Sequence, residues 1–309
     1  MKLYSLLLAL CITLLFSACT QTDSKGTLTA GERMRVVTTT SILKDAVQNI
    51  VGNAAEVESI MGSGVDPHLY KATQGDLQKL TDADVIVYNG LYLEGKMGEV
   101  LDKLSRQKTV VTATAGIPEG KLRQSQQYAD SNDPHVWFDV QLWMEVVKHL
   151  SQELQQKDPA NAQVYAQNTD AYLQELEALH QWVAQQVGTI PEQQRILITA
   201  HDAFGYFGDA YHIKVRGLQG ISTVSEFGLQ DVSSLVRYIA DNKIKAVFVE
   251  SSVSPKAIEA VVIGSREKGH EVKVGGTLYS DALGEEGTPE GEYTGMVRYN
   301  VNTIVSALK

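Results

Sequence analysis

Apolar positions along the chain follow two alternating rhythms: short β-branched runs, and longer stretches stepping by three and four. Val36-Val37-Thr38-Thr39-Thr40 predicts a strand. Ile42, Leu43, Ala46, Val47 and Ile50 behind it have helical spacing, with Ser41 placed to cap. Residues 57–61 read as a second strand, ended by Gly62-Ser63-Gly64. Residues 74–80 read as a helix, and Val85-Ile86-Val87-Tyr88 and Thr109-Val110-Val111 as buried strands. This alternation predicts a parallel sheet with helices on both faces. Residues 116–134 are polar and read as a surface loop; Val140, Trp143, Met144, Val147 and Leu150 then resume helical spacing.

Asp158-Pro159 predicts a helix start, with Asp as cap and Pro at the first helical position. Residues 160–187 contain neither Gly nor Pro, and Tyr172, Leu176, Leu179, Val183 and Val187 keep one face apolar. About 28 residues make a helix of roughly 42 Å, long enough to run the length of two domains and join them. Gly188 and Pro191 end it, and the alternation restarts. Strands are predicted at 196–199, 215–221, 246–249 and 272–274, and helices at 231–242, 255–268 and 295–308. Arg35-Val36-Val37-Thr38-Thr39 and Arg195-Ile196-Leu197-Ile198-Thr199 open the two stretches alike, a weak internal duplication. The expected architecture is α/β: two domains, each a parallel-type sheet flanked by helices, joined by one long rigid helix. The expected boundaries are 34–157 for the amino-terminal domain, 158–190 for the linking helix and 191–309 for the carboxy-terminal domain. A rigid link of this kind predicts only a small hinge motion.

The amino terminus sets the compartment. Lys2 precedes an apolar run over residues 3–16, interrupted by Tyr4 and Ser5, which is shorter than the ~20 residues a spanning helix needs. It ends in Phe16-Ser17-Ala18-Cys19, small residues before Cys that resemble a bacterial lipoprotein box. Residues 1–18 are therefore expected to be a signal peptide, Cys19 the lipidated new amino terminus, and 19–33 a flexible tether to a membrane, on its extracytoplasmic side. Cys11 would leave with the signal and Cys19 would carry lipid, so any metal site must use His and carboxylates. The net charge of -10 argues against a nucleic-acid partner, which requires a basic face to neutralise phosphates.

His68, His135, His201 and Asp281 stand at or just after strand ends, or where a loop enters a helix. Ligands of open parallel sheets bind outside the carboxyl ends of the strands, so all four can face one crevice between the domains. Imidazoles with one carboxylate suit a borderline divalent metal such as Zn²⁺, and Asp281 would cancel one of its charges. The imidazoles must be deprotonated to bind, so affinity is expected to fall at acid pH. Glu250 ends a buried strand and is placed to orient one of these His residues; Glu226 reads as solvent-facing or as a helix cap. His149, His180, His212 and His270 fall on helix faces or edges and read as solvated. Two functions remain open on the residues alone. One is a binding module with a closed site; the other is an extracytoplasmic zinc hydrolase with three His ligands and Asp281 or Glu250 as base.

Longer segments narrow the choice. These are Gly64-Val65-Asp66-Pro67-His68, Ala83-Asp84-Val85-Ile86-Val87-Tyr88-Asn89-Gly90-Leu91 with Leu93-Glu94, and Asp133-Pro134-His135-Val136-Trp137. Further on come Thr199-Ala200-His201-Asp202-Ala203-Phe204-Gly205, Gln219-Gly220-Ile221-Ser222-Thr223, Val249-Glu250-Ser251-Ser252 and Leu278-Tyr279-Ser280-Asp281-Ala282-Leu283. Over about residues 33–309 the chain resembles the zinc- and manganese-binding lipoproteins that serve ABC importers. The resemblance implies that His68, His135, His201 and Asp281 are the metal ligands. It also implies that Zn²⁺ or Mn²⁺ is transported cargo, that the protein is a monomer and not an enzyme, and that its partners are a membrane permease and its ATPase. In this family a Glu at the third ligand position often accompanies manganese, where this chain has His201. Dedicated zinc binders often carry a His-rich loop before the second ligand, and residues 116–134 contain no His. The segment 287–296 also resembles the branch that includes manganese binders.

Overall fold

The computed structural model describes residues 33–125, 131–225 and 227–309. The expected signal peptide, Cys19 and nearly all of the tether, together with Glu226, lie outside the described residues. No helix among the described residues is long and apolar enough to cross a membrane.

The first half is built as the hydrophobic pattern predicts. β1 (Met34–Thr38) leads into α1 (Ser41–Val51), and β2 (Ala55–Ser59) into α2 (Gln74–Asp82). β3 (Val85–Tyr88), α3 (Gly98–Ser105) and β4 (Thr109–Thr112) complete it. The four strands form one parallel sheet in the order β2-β1-β3-β4. The cap of α1 is Thr40, not Ser41: Thr40 Oγ1 accepts the Leu43 amide at 3.3 Å. Ser41 Oγ is used elsewhere, accepting the amide of Leu283 from the far half of the chain at 3.0 Å. The sequence did not suggest α3, which opens on Gly98 and fully buries Leu101 alone.

α4 (Val140–Lys157) is capped by Asp139, whose Oδ1 accepts the Gln141 amide at 2.9 Å. α5 (Ala162–Gly188) is the long helix. Its start corrects the sequence expectation: Asp158 closes α4 instead of opening α5, and the chain turns over residues 159–161 first. The Asp158 carboxylate accepts the Tyr165 hydroxyl at 2.6 Å and the Asn161 amide group at 2.7 Å, so it fastens the corner from within. Twenty-seven residues span about 40 Å. The buried stripe Tyr165, Thr169, Tyr172, Leu176, Leu179, Val183 and Val187 follows the predicted period.

In the second half, β5 (Ile196–His201), α6 (Gly205–Tyr211), β6 (Lys214–Gln219), α7 (Leu229–Asp241), β7 (Ala246–Glu250), α8 (Lys256–Glu267), β8 (Lys273–Leu278) and α9 (Tyr293–Leu308) alternate. β5 pairs with β6 and β7 with β8, both in parallel, and β5 lies beside β7. The long helix packs on α1 and α4 from the first half and on α6 and α9 from the second. Trp143 of α4 stacks on Tyr293 of α9 with ring centroids 5.4 Å apart, both fully buried. Aromatic burial of this kind contributes about 1.5–3 kcal/mol per side chain and holds the two halves on one spine.

Candidate metal centre

The carboxyl ends of both sets of strands point toward one place. His201 is the last residue of β5 and Glu250 the last of β7, its neighbour. His68 sits in the loop after β2, Asp281 in the loop after β8, and His135 just before a 3-10 turn, Val136–Phe138. All four are buried: His68 is 3%, His135 0%, His201 0% and Asp281 1% exposed.

The two Asp-Pro-His segments fold the same way. Asp66 Oδ1 accepts the His68 amide at 2.9 Å, and Asp133 Oδ1 accepts the His135 amide at 3.0 Å. A carboxylate that takes the amide two residues on makes an Asx turn, and the proline between limits the alternatives. Each turn fixes the backbone from which an imidazole projects. Asp133 does more, because its Oδ1 also lies 2.7 Å from His135 Nδ1. Glu250 treats His201 alike, with Oε1 accepting the His201 amide at 2.9 Å and Oε2 lying 2.5 Å from Nδ1. With carboxylates on the Nδ1 side, both rings turn Nε2 inward.

The inward atoms converge. His68 Nε2 and His135 Nε2 are 3.3 Å apart. Asp281 Oδ2 is 3.3 Å from His201 Nε2 and 4.0 Å from His68 Nε2, while Oδ1 is 3.5 Å from His135 Nε2. One donor atom from each of the four residues can be chosen so that all lie within 4.8 Å of one another. Four ligands held at about 2.1 Å in a tetrahedron would stand roughly 3.4 Å apart. His201 Nε2 and both Asp281 oxygens are fully buried without a hydrogen-bond partner. Burying such groups unpaired is costly, and a cation at their centre would satisfy all three.

The electrostatics of the metal-free site push His68 and His201 in opposite directions. Burial holds the His68 imidazole down to about 3, with Asp281 opposing and the other two imidazoles assisting, so it is neutral at ordinary pH. Burial also disfavours charge on His201, but Glu250 and Asp281 outweigh it and raise that imidazole well above its usual value. Burial would raise Asp281; the imidazoles of His201, His135 and His68 overcome this and hold its carboxyl below the usual range.

Sequence reasoning found the four converging residues and Glu250. It missed Asp133, which the Asp-x-His spacing signalled, and Glu94. The Glu94 carboxylate is buried behind the first sheet's loops, accepting from Thr39 Oγ1 at 2.6 Å and from the amides of Asn89 at 2.7 Å and Gly90 at 3.3 Å. Asn89 in turn donates to the Pro134 carbonyl at 3.1 Å, bracing the His135 turn. The remaining histidines stand apart. His212 is exposed as expected, whereas His180 is half-buried against Tyr211 Oη at 3.1 Å and His270 against the Ile244 carbonyl at 2.7 Å. His149 is half-buried beside Gly116.

Residues 36–307 match the family described as "ZnuA: Zinc-uptake complex component A periplasmic". The chain belongs to this family. Among its relatives, the manganese-binding lipoprotein MntA of Bacillus subtilis is 50% identical over 288 residues, covering 93% of this chain and 94% of that one. The zinc-binding protein TroA of Treponema pallidum is 46% identical over 273 residues, 88% of each. The solved structure of the periplasmic zinc-binding protein TroA from Treponema pallidum superposes with a TM-score of 0.88 at 45% identity, covering 90% of this chain and 99% of that one. This likeness fits the α/β architecture of parallel sheets flanked by helices. The hydrolase alternative finds no support among these relatives, which are named for metal binding.

Proposed function

We propose that the chain is an extracytoplasmic receptor that captures one Zn²⁺ or Mn²⁺ ion and delivers it to an ABC importer, without catalysing a reaction. His68, His135, His201 and Asp281 are the ligands in this reading. The observation that carries it is the convergence of three imidazoles on a buried carboxylate whose two oxygens have no hydrogen-bond partner. Three nitrogens and one oxygen suit Zn²⁺. Because Asp281 turns one oxygen toward His135 and the other toward His68 and His201, it can also engage an ion through both oxygens. That higher coordination suits Mn²⁺, which favours oxygen ligands. Asp281 closes the side on which a hydrolytic zinc would keep its water.

In the same reading, residues 34–157 and 191–309 are two domains joined by the helix within 158–190, and the ion lies between them. Cys19 carries lipid that holds the monomeric receptor near its permease and ATPase. The family match and the lipoprotein named among the relatives support this placement.

The test is metal content. The full-length chain, stripped with chelator and titrated with Zn²⁺ and Mn²⁺ in competition, should bind one equivalent by elemental analysis. His68→Ala should abolish stoichiometric binding and Asp281→Ala should weaken it. Failure of the wild-type chain to bind either ion would overturn the reading.

A further inference from the structure

The His68 loop reaches the opposite half of the molecule through a contact that the ligand set does not require. Thr223 Oγ1 donates to Asp66 Oδ2 at 2.6 Å, while Oδ1 of the same carboxylate holds the His68 amide at 2.9 Å. Asp66 therefore has one oxygen on the backbone of a proposed ligand and the other on the far half. Thr223 is itself anchored beside another proposed ligand. Its turn follows β6, whose Gln219 is in register with His201, and Gln219 Nε2 donates to the Ser225 carbonyl at 3.0 Å. The Asp202 amide donates to the Gly220 carbonyl at 3.3 Å, fastening the base of that turn to the residue after His201. Hydrogen bonds thus link the His68 backbone through Asp66 to Thr223, and the short turn that carries Thr223 is fastened in turn to the end of β5.

We propose that Asp66 and Thr223 form a clasp across the cleft that holds His68 in the ligand set and sets the rate at which the ion leaves. The clasp rests on the receptor reading above. His68 and His201 lie on opposite halves, so an ion bound between them escapes when the halves part. Parting breaks the Thr223–Asp66 bond. In this proposal the ion enters while the halves are apart and the bond closes over it, so the clasp slows dissociation more than association. Thr223 and Asp66 are positioning residues here, acting through the His68 backbone.

The test uses the full-length chain loaded with Zn²⁺, with release followed by mixing against excess fluorescent chelator and association measured separately. Thr223→Val, which keeps the shape and removes the hydroxyl, should speed release about tenfold, the low end of what a hydrogen bond to a charged group is worth, and leave association within about twofold. Thr223→Ser should restore slow release. In an Asp66→Ala background, Thr223→Val should add less than about twofold, since the partner is already gone. Wild-type release from Thr223→Val, release from Thr223→Ser as fast as from Thr223→Val, or a full additional tenfold in the Asp66→Ala background would each overturn the clasp. A wild-type chain that binds no Zn²⁺ would fail the receptor reading first, and the clasp with it. A wild-type chain that binds one equivalent isolates the clasp as the point under test.

Discussion

Glu250 accepts the His201 backbone amide through one carboxylate oxygen at 2.9 Å and sets the other as a charge 2.5 Å from ring Nδ1. The contact sets both the position of the strand end and the direction of the imidazole. Glu250→Gln keeps the size and loses the charge. It should weaken Zn²⁺ binding by about 10- to 100-fold, the usual consequence of disturbing a carboxylate behind a metal-bound His. Asp133→Asn should act in the same direction through His135. Chelator competition reads both, and affinities equal to the wild type would refute the orienting role.

Asp45 on α1 is half-buried against α5 and α9, where Tyr172 Oη donates to it at 3.3 Å. Burial pushes its carboxyl up to about 7; hydrogen bonds from the Tyr293 amide and the Tyr172 hydroxyl oppose this, and Glu292 and Glu175 add to it. In the unfolded chain the same group titrates near ~3.9. Between these values the folded state binds a proton that the unfolded state has released, so this group's contribution to stability falls as pH rises from about 4 to about 7. The full shift would be worth at most about 4 kcal/mol, less whatever water screens. Urea unfolding of metal-free wild type and Asp45→Asn across that range should show the variant gaining relative stability with rising pH. A constant difference would refute the assignment.

Gly217 sits in β6 where a side chain would have no room: a Cβ there would stand 2.5 Å from the Asp202 amide and 2.6 Å from the His201 carbonyl carbon. Both obstacles are backbone and cannot swing aside. Gly217→Ala should cost about 1–3 kcal/mol of stability. It should also weaken metal binding, because the strand it displaces from β6 ends in His201. Chemical denaturation and metal titration of one preparation separate the two effects.

Metal should leave the long helix undisturbed. α5 buries its stripe against helices of both halves, independently of the loops that carry the ligands. Hydrogen exchange with and without Zn²⁺ should therefore show equal protection around Leu176 and Leu179, with added protection confined to the loops around His68, His135 and Asp281. Deprotection of the helix on metal removal would contradict a rigid spine.

What was legible in the sequence was what is periodic or chemically rare. The Val36-Val37 strand and the stripe from Tyr172 to Val187 were readable because burial on one face imposes a period. His68, His135 and His201 were readable because few residues offer their chemistry at strand ends. The failures share a cause: choices settled by tertiary contact. Asp158-Pro159 carries a strong local signal for a helix start, but Tyr165 draws the carboxylate into the corner and α5 begins at Ala162. Thr40 and Ser41 are equivalent as caps until Leu283 arrives from across the molecule to take the serine. α6 opens Gly-Tyr-Phe-Gly, a poor helix former by propensity, and exists because Tyr206, Phe207 and Tyr211 are buried. Asp133 needed only the recognition that a residue two before a histidine can hold both its amide and its ring.

Trp137 stands at the junction of these parts. Its ring centroid is 5.2 Å from that of His135, its Nε1 donates to the Ser280 carbonyl at 2.9 Å beside Asp281, and its own carbonyl accepts the Tyr293 hydroxyl at 2.7 Å. An indole so placed is a natural optical gauge. Any change in charge on the neighbouring imidazole, or in the set of the Asp281 loop, alters its surroundings before it alters anything at the surface. Its emission, separated from that of Trp143 and Trp182 by replacing those two with Phe, would report arrival and departure of an ion without an added dye.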